Sequence, residues 1–222
     1  MNTVSLKIPI PIFNVGSAHT KYKMLDYTKR AKNYDKRWKH YCLPSFSKSI
    51  QIIDLYQDSR LLDVGCGTGI FLKILEKKYP SAQLNGIDSN QAMLAKASEK
   101  LSSKVDLELG SAEFLPYDSQ SFDWLVLSNC LGHIKNQEVA LSEAHRVLKD
   151  DGKVIITDWT KDFLAMRFVN LYTQLFDYAE YNSLKSSETI AMMEKLHFKC
   201  ISAENYKINW FWGLYTILGI KR

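Results

Sequence analysis

The 222-residue chain reads as an α/β protein: a doubly wound, seven-stranded, mostly parallel sheet that ends in an antiparallel hairpin. Three observations predict it. Short apolar runs alternate with stretches of helical periodicity from about residue 60 to residue 160, the pattern of parallel strands joined by helical crossovers. The first of these runs passes directly into a glycine-rich loop and then into a helix. At the C-terminus two strand-like runs follow one another with no helix between them, which calls for a hairpin. The length suits one well-buried core rather than two.

Taken in order, residues 1–20 contain Pro9, Pro11 and Gly16, which block a regular element. Residues 24–41 turn helical, aromatic and basic; Pro44 is expected to end that stretch, with a second helix over 46–56. Arg60-Leu61-Leu62-Asp63-Val64 is the first strand and enters Gly65-Cys66-Gly67-Thr68-Gly69. Ile70, Phe71, Ile74 and Leu75 place a helix over 70–79, stopped by Pro80. Strands over 83–87, 105–109, 124–128 and 153–158 follow, with helices over 91–101 and 138–148. Residues 159–182 then interrupt the alternation. Phe163, Met166, Val169, Tyr172 and Phe176 recur there at helical spacing, and Leu164, Phe168, Leu171 and Leu175 widen the apolar face. A helix over 187–196 and strands over 200–208 and 212–220 complete the chain; Trp210, Phe211 and Trp212 are expected in the core, with a lipid-facing or substrate-facing patch as the alternative.

Composition narrows the function classes. The chain is 46% hydrophobic and 24% charged, as in soluble globular proteins, and no apolar run reaches the ~18–20 residues of a membrane span. With no signal-peptide pattern at the N-terminus, a cytoplasmic protein is expected. Cys42, Cys66, Cys130 and Cys200 form no C-x-x-C pair and no zinc-like spacing with histidine, so reduced thiols and no metal site are expected. Residues 1–40 hold nine lysines and arginines against Asp26 and Asp35. That basic arm suits a solvated helix face, or contact with nucleic acid, an anionic membrane surface or an acidic substrate.

The glycine loop is the strongest signal. A loop between a strand and a helix sits at the carboxyl edge of the sheet, where ligands bind in such folds. Gly65 and Gly67 let the backbone pass close to a ligand, and the helix that follows points free N–H groups towards it. The spacing is G-x-G-x-G, with Asp63 just ahead, and no lysine follows the glycines. Neither a dinucleotide fingerprint nor a phosphate-cradling loop fits. Asp88, ending the second strand about twenty residues on, is placed to accept the ribose hydroxyls of a nucleoside-bearing ligand. The alternative for Asp88 is a cap for the next helix; for Asp63 it is a buried acid bonded to the loop amides.

These stretches resemble the class I S-adenosylmethionine-dependent methyltransferases, in particular the large group that includes the ubiquinone and menaquinone biosynthesis methyltransferases. The resemblance is carried by Leu62-Asp63-Val64-Gly65-Cys66-Gly67-Thr68-Gly69, Gly86-Ile87-Asp88, Gly110-Ser111-Ala112-Glu113-Phe114-Leu115-Pro116, Ser121-Phe122-Asp123 and Arg146-Val147-Leu148 with Gly152. It implies a Rossmann-like methyltransferase fold, S-adenosylmethionine as methyl donor and S-adenosylhomocysteine as product. By the same resemblance Asp63, Gly65 and Gly67, with Cys66 between them, serve the methionine half of the cofactor and Asp88 the ribose. Ser89 and Met93 lie beside the adenine, Ala112 and Glu113 at its edge, and Asn129 faces the methionine. Ser111 stands where the family often has Asp, so the adenine amino contact weakens or moves to Glu113. Asp150-Asp151-Gly152 replaces the usual Pro-Gly-Gly turn, away from the site.

The resemblance also implies an organisation: residues 1–45 as basic arm and lid helix, with Tyr34 over the cofactor, and residues 46–222 as the cofactor-binding domain. Within it, about 159–185 form a substrate-covering insertion. Its aromatic, Met-containing wall suits a small apolar or aromatic acceptor; a helix packed on the sheet or a dimer contact is the plainer reading. Methyl transfer needs alignment of donor and acceptor and, for an acceptor that carries a proton, a base. His133, just past the fourth strand, is the candidate base, with His40 and Tyr34 as alternatives; a histidine that only positions the loop is the other reading. The rival functions are a nucleic-acid methyltransferase and a non-catalytic cofactor-binding scaffold. The first lacks an Asn/Asp-Pro-Pro-Tyr/Phe motif, since Ser128-Asn129-Cys130-Leu131 stands there.

Overall fold

A computed structural model describes residues 27–176, 181–210 and 212–222. Seven strands form one sheet: β1 (Arg60–Val64), β2 (Gln83–Asp88), β3 (Asp106–Leu109), β4 (Phe122–Ser128), β5 (Leu148–Trp159), β6 (Phe198–Lys207) and β7 (Gly213–Lys221). Their spatial order is β3-β2-β1-β4-β5-β7-β6. β3, β2, β1, β4 and β5 are parallel, and β7 runs antiparallel to both β5 and β6. The predicted fold class is the observed one. Order reverses between β1 and β4, so the carboxyl ends of these two strands open the crevice where such sheets bind ligands.

The helices are α1 (Tyr27–Ala31), α2 (Tyr34–Ile52), α3 (Ile70–Lys78), α4 (Gln91–Ser98), α5 (Gln137–Val147), α6 (Leu164–Phe176) and α7 (Ser186–Lys195). Two apolar clusters cover the faces of the sheet. One joins Leu62, Val64, Leu125 and Leu127 to α5, α7 and β7. The other joins Leu61, Val126 and Ile155 to α2, α3 and α4. Burial on both faces holds for the central strands, whereas the edge strand β3 is largely exposed.

Two expectations fail at the N-terminal side. The stretch over 24–41 breaks at Asn33, and the helix that starts at Tyr34 runs straight through Pro44 to Ile52. Proline removes one intrahelical hydrogen bond and crowds the preceding turn, yet Tyr41, Cys42, Ser45, Phe46 and Ser49 are all buried along one face. That continuous tertiary seat on both sides of residue 44 outweighs the local break. The expected domain boundary at 45 therefore lies inside α2.

The insertion folds as α6, with Met166 buried while Leu164, Phe168 and Leu171 point outward. The expected side chains of Val169, Tyr172, Leu175 and Phe176 lie outside the described residues, as does Phe211. Trp210, expected in the core, is 84% exposed in the β6–β7 turn. It lies between the end of β6 at Lys207 and the start of β7 at Gly213, where no element among the described residues packs over it. Among the described residues no helix is long and apolar enough to cross a membrane.

Candidate active site

The carboxyl ends of β1, β2 and β4 surround a cavity of about 380 Å³, the size of a small-ligand site. Its wall comes from five places: Tyr34 on α2, the loop after β1, the β2–α4 junction, residues 110–113, and residues 129–135.

The loop after β1 needs its glycines. Gly65 and Gly67 have φ of 72° and 55°, in the left-handed region that side chains disfavour. A Cβ on Gly65 would lie 2.7 Å from the Cβ of Cys130, whereas one on Gly67 meets nothing within 4 Å. Gly67 thus keeps open the space that its side chain would fill. The amides of Gly65 and Cys66 donate to the Ile87 carbonyl at 2.8 and 3.0 Å, and that of Gly69 to Cys66 O at 3.0 Å. The Gly67 amide donates to Asp88 Oδ2 at 2.8 Å. With those donors taken, Asp63 is not the acceptor for these loop amides, and that alternative falls. It is buried, and burial, then the neighbouring Asp88 charge, holds its carboxyl well above the ordinary range.

Asp88 does not cap α4. Asn90 does: its Oδ1 accepts from the amides of Ala92 at 2.9 Å and Met93 at 3.1 Å. Asp88 Oδ1 accepts from the Asn90 amide at 2.8 Å, which aims the carboxylate at the cavity with lone pairs to spare. Burial raises its pKa, partly offset by the amides of Asn90 and Gly67. Two partly desolvated acids so close favour a ligand that brings positive charge. At the far edge Glu113 is tied down, accepting from the Asn136 amide at 2.8 Å and, more loosely, from the Ser111 hydroxyl at 3.4 Å.

The opposite wall is made by side chains. Asn129 directly follows β4 with φ of 57°, a strained value for a non-glycine residue. Its amide donates to Thr157 O at 2.7 Å, its Nδ2 to Ser45 Oγ at 2.9 Å, and its Oδ1 accepts from the Tyr41 hydroxyl at 2.5 Å. Trp159 Nε1 donates in turn to the Tyr41 oxygen. Trp159 stacks on Trp212 with ring centroids 4.8 Å apart, and Trp38 and Tyr41 meet Trp212 edge-on.

His133 follows in a 3₁₀ turn, Leu131–His133, its ring edge-on to Tyr181 at 4.7 Å. Tyr181 donates to the buried Asp158 carboxylate at 2.6 Å, which also accepts from the Gly132 amide at 3.0 Å. The Asn182 amide returns a bond to Gly132 O at 2.8 Å. Gln137 Nε2 ties Leu131 O and Asn182 O together at 2.9 Å each. The end of the 159–185 insertion is thereby sewn onto the loop that carries His133.

Of the predicted residues, Tyr34, Gly65, Gly67, Asp88, Ser89, Met93, Ala112, Glu113, Asn129 and His133 line this one cavity. Asp63 and Cys66 are buried beside it and do not line it; burial pushes the Cys66 thiol upward. His40 is exposed and outside the lining. Asn90, Cys130, Ile134 and Lys135 line it unforeseen, and Tyr41, Ser45, Asp158 and Tyr181, equally unforeseen, support the wall from behind without lining it. Asn90 had a local signal, its residue type at a helix start; the supports had none. Among the described residues no cluster of three or more His, Cys, Asp or Glu is placed to hold a metal ion.

A doubly wound sheet with a glycine loop after β1 and an acid ending β2, both on one cavity, defines the Rossmann-like α/β class. Within that class, the family model described as a methyltransferase domain matches residues 62–156. Over that stretch the chain is similar to the class I S-adenosylmethionine-dependent methyltransferases. It is 29% identical over 163 residues to the ubiquinone/menaquinone biosynthesis C-methyltransferase UbiE of Citrifermentans bemidjiense, covering 71% of this chain and 66% of that protein. It is 40% identical over 103 residues to the demethylmenaquinone methyltransferase of Lactobacillus johnsonii, covering 44% and 42%. The chain therefore spans about two thirds of the first relative and under half of the second. The YcgJ protein of Bacillus subtilis superposes with a TM-score of 0.70 over 80% of this chain and 98% of its own; at 23% identity this likeness concerns the fold alone.

Proposed function

We propose that this protein transfers the methyl group of S-adenosylmethionine to a small, apolar or aromatic acceptor. The observation that carries the reading is the convergence of the glycine loop, Asp88 and the residues after β4 on one cavity. The open space above Gly67, the paired acids Asp63 and Asp88, and the polar rim at 111–113 fit a cationic amino acid joined to a nucleoside. When bound, that cofactor supplies a methyl group already activated for in-line displacement. The protein has to align and shield the reactants, an effect of up to ~7–11 kcal/mol in favourable cases.

In this reading Asp88 accepts the ribose hydroxyls on the lone pairs left by the Gly67 and Asn90 amides. Asp63, Gly65, Cys66 and Gly67 shape the methionine end, which Asn129 closes. Ser89 and Met93 flank the adenine, and Ala112 and Glu113 bound its edge. Tyr34 covers the cavity as part of an N-terminal lid, and the 159–185 insertion covers the acceptor. His133 takes the acceptor's proton where there is one; its exposed ring, held by Tyr181, can pass that proton to solvent. The Trp159–Trp212 stack, joined to Asn129 through the Tyr41 hydroxyl, supports an apolar or aromatic acceptor.

The test is calorimetric titration with S-adenosylmethionine and S-adenosylhomocysteine. Micromolar binding is expected, with Asp88→Ala weaker by roughly 100-fold, because charge-assisted hydrogen bonds are lost. A folded wild type that binds neither ligand sinks the reading.

A further inference from the structure

The first turn of α2, which brings Tyr34 to the cavity, is held by three residues far apart in sequence. Thr68, in the glycine loop, donates its hydroxyl to Asp35 Oδ1 at 2.6 Å. Lys100, beyond α4, forms an ion pair with Asp35 Oδ2. The same ammonium donates to the Thr68 carbonyl at 2.7 Å. The triangle is closed, each member touching the other two, and it joins α2, the glycine loop and the end of α4. Asp35 is also well placed for the positive end of the helix dipole.

Farther along, α2 packs into the apolar cluster through Tyr41, Cys42 and Phe46, and hydroxyls add directional bonds to the sheet. Ser49 Oγ meets Thr157 Oγ1 at 2.9 Å, and Ser45 and Tyr41 bond Asn129. Such neutral hydrogen bonds contribute modestly on balance, because water replaces them when they open. Ahead of this seat, Lys36, Arg37 and His40 face solvent. The charged triangle ties the first turn of α2 directly to the glycine loop. Its Asp35 and Lys100 side chains are half-exposed, so salt reaches them.

We infer that Asp35 is a positioning residue for the bound cofactor: it latches the first turn of α2, and Tyr34 with it, onto the glycine loop, and the lifetime of that latch sets how fast ligand leaves. The inference rests on the proposed reading that the cavity holds S-adenosylmethionine or its product.

The test measures S-adenosylhomocysteine dissociation from the full chain by stopped flow. The proteins are wild type, Asp35→Ala, Lys100→Ala, the double variant, Thr68→Val and Lys36→Ala. Asp35→Ala and Lys100→Ala are expected to release ligand roughly three- to tenfold faster, the scale of a charged hydrogen-bonded pair. The double variant should be no faster than the singles, since all break one coupled unit. Thr68→Val, which keeps both charges, should show a smaller rise, and Lys36→Ala none. Raising the salt should speed release from wild type and leave Asp35→Ala unchanged. The latch is overturned by wild-type release rates in both single charge variants, or by effects that multiply in the double. It is equally overturned if affinity falls through slower association together with a lowered melting temperature, which marks a role in folding. A wild type that binds no S-adenosylhomocysteine overturns the cofactor reading itself, and the latch with it.

Discussion

In the glycine-loop half of the cavity the wall is glycine backbone and one carboxylate, and the bond that joins them, Gly67 to Asp88, spans 21 positions. In the half beyond Asn129 the wall is held by side chains from distant segments. Tyr41 and Asn129 are 88 positions apart, and Trp159 and Tyr41 are 118. The first half depends on φ angles and strand register, which a short motif can encode. The second depends on where whole helices dock. In the proposed reading, such a site can keep its cofactor pocket while its acceptor wall varies, since the two rest on separate supports.

Substitutions that strike one half at a time break this comparison or sharpen it. The largest effect is expected for Gly65→Ala, which adds backbone strain at φ of 72° and a contact of 2.7 Å with Cys130. A loss of about 3 kcal/mol of stability is expected, with S-adenosylhomocysteine affinity lost alongside; thermal melts and calorimetry measure the two. Gly132→Ala strikes the other half, placing a methyl group 2.5 Å from the Tyr181 ring. Overpacking there should cost about 2 kcal/mol and displace Tyr181 from His133, while cofactor affinity stays near wild type. Equal losses of affinity in both variants would mean that the halves form a single unit.

A smaller effect comes from pH. The carboxyls of Asp63 and Asp88 titrate above their ordinary range, chiefly through burial. A cation-bearing ligand binds their ionised forms, so binding releases protons in mildly acidic solution. Affinity should rise with pH through the raised pKa values, by up to about tenfold per unit for each proton released, and then level off. The unliganded fold has the opposite sign. The stabilisation these two groups contribute is fully present below the unfolded carboxyl pKa and is lost as pH rises through the folded values. Titrations at several pH values, in buffers of different ionisation enthalpy, read the proton release directly; an affinity that falls with pH in the acid range contradicts it.

Much of the fold was legible because its signals are local. Arg60–Val64 running into three glycines, and Pro80 closing the next helix, mark the first β–loop–α unit without reference to anything distant. Asp88 was found by its distance from the loop, and ten predicted residues share the cavity for the same reason, since parallel strands bring their carboxyl ends to one edge. Pro44 was misread because the buried face that carries α2 through it is a property of the assembled sheet. Trp210 was placed in the core because aromatics beside a final strand usually pack inward, whereas the β6–β7 turn that carries it leaves it in solvent.

Sequence alone determined the order of the strands, the glycine loop and the acid at the end of β2, all of which follow from backbone geometry and short-range periodicity. Tertiary structure alone decided that Asn90 and not Asp88 caps α4, that Asp35 reaches Thr68 and Lys100, that Tyr41 and Ser45 hold Asn129, and that Tyr181 braces His133. Each of these is a contact between chain segments whose separation leaves no periodicity to read, and only the docking of helix on sheet brings the partners within hydrogen-bonding range.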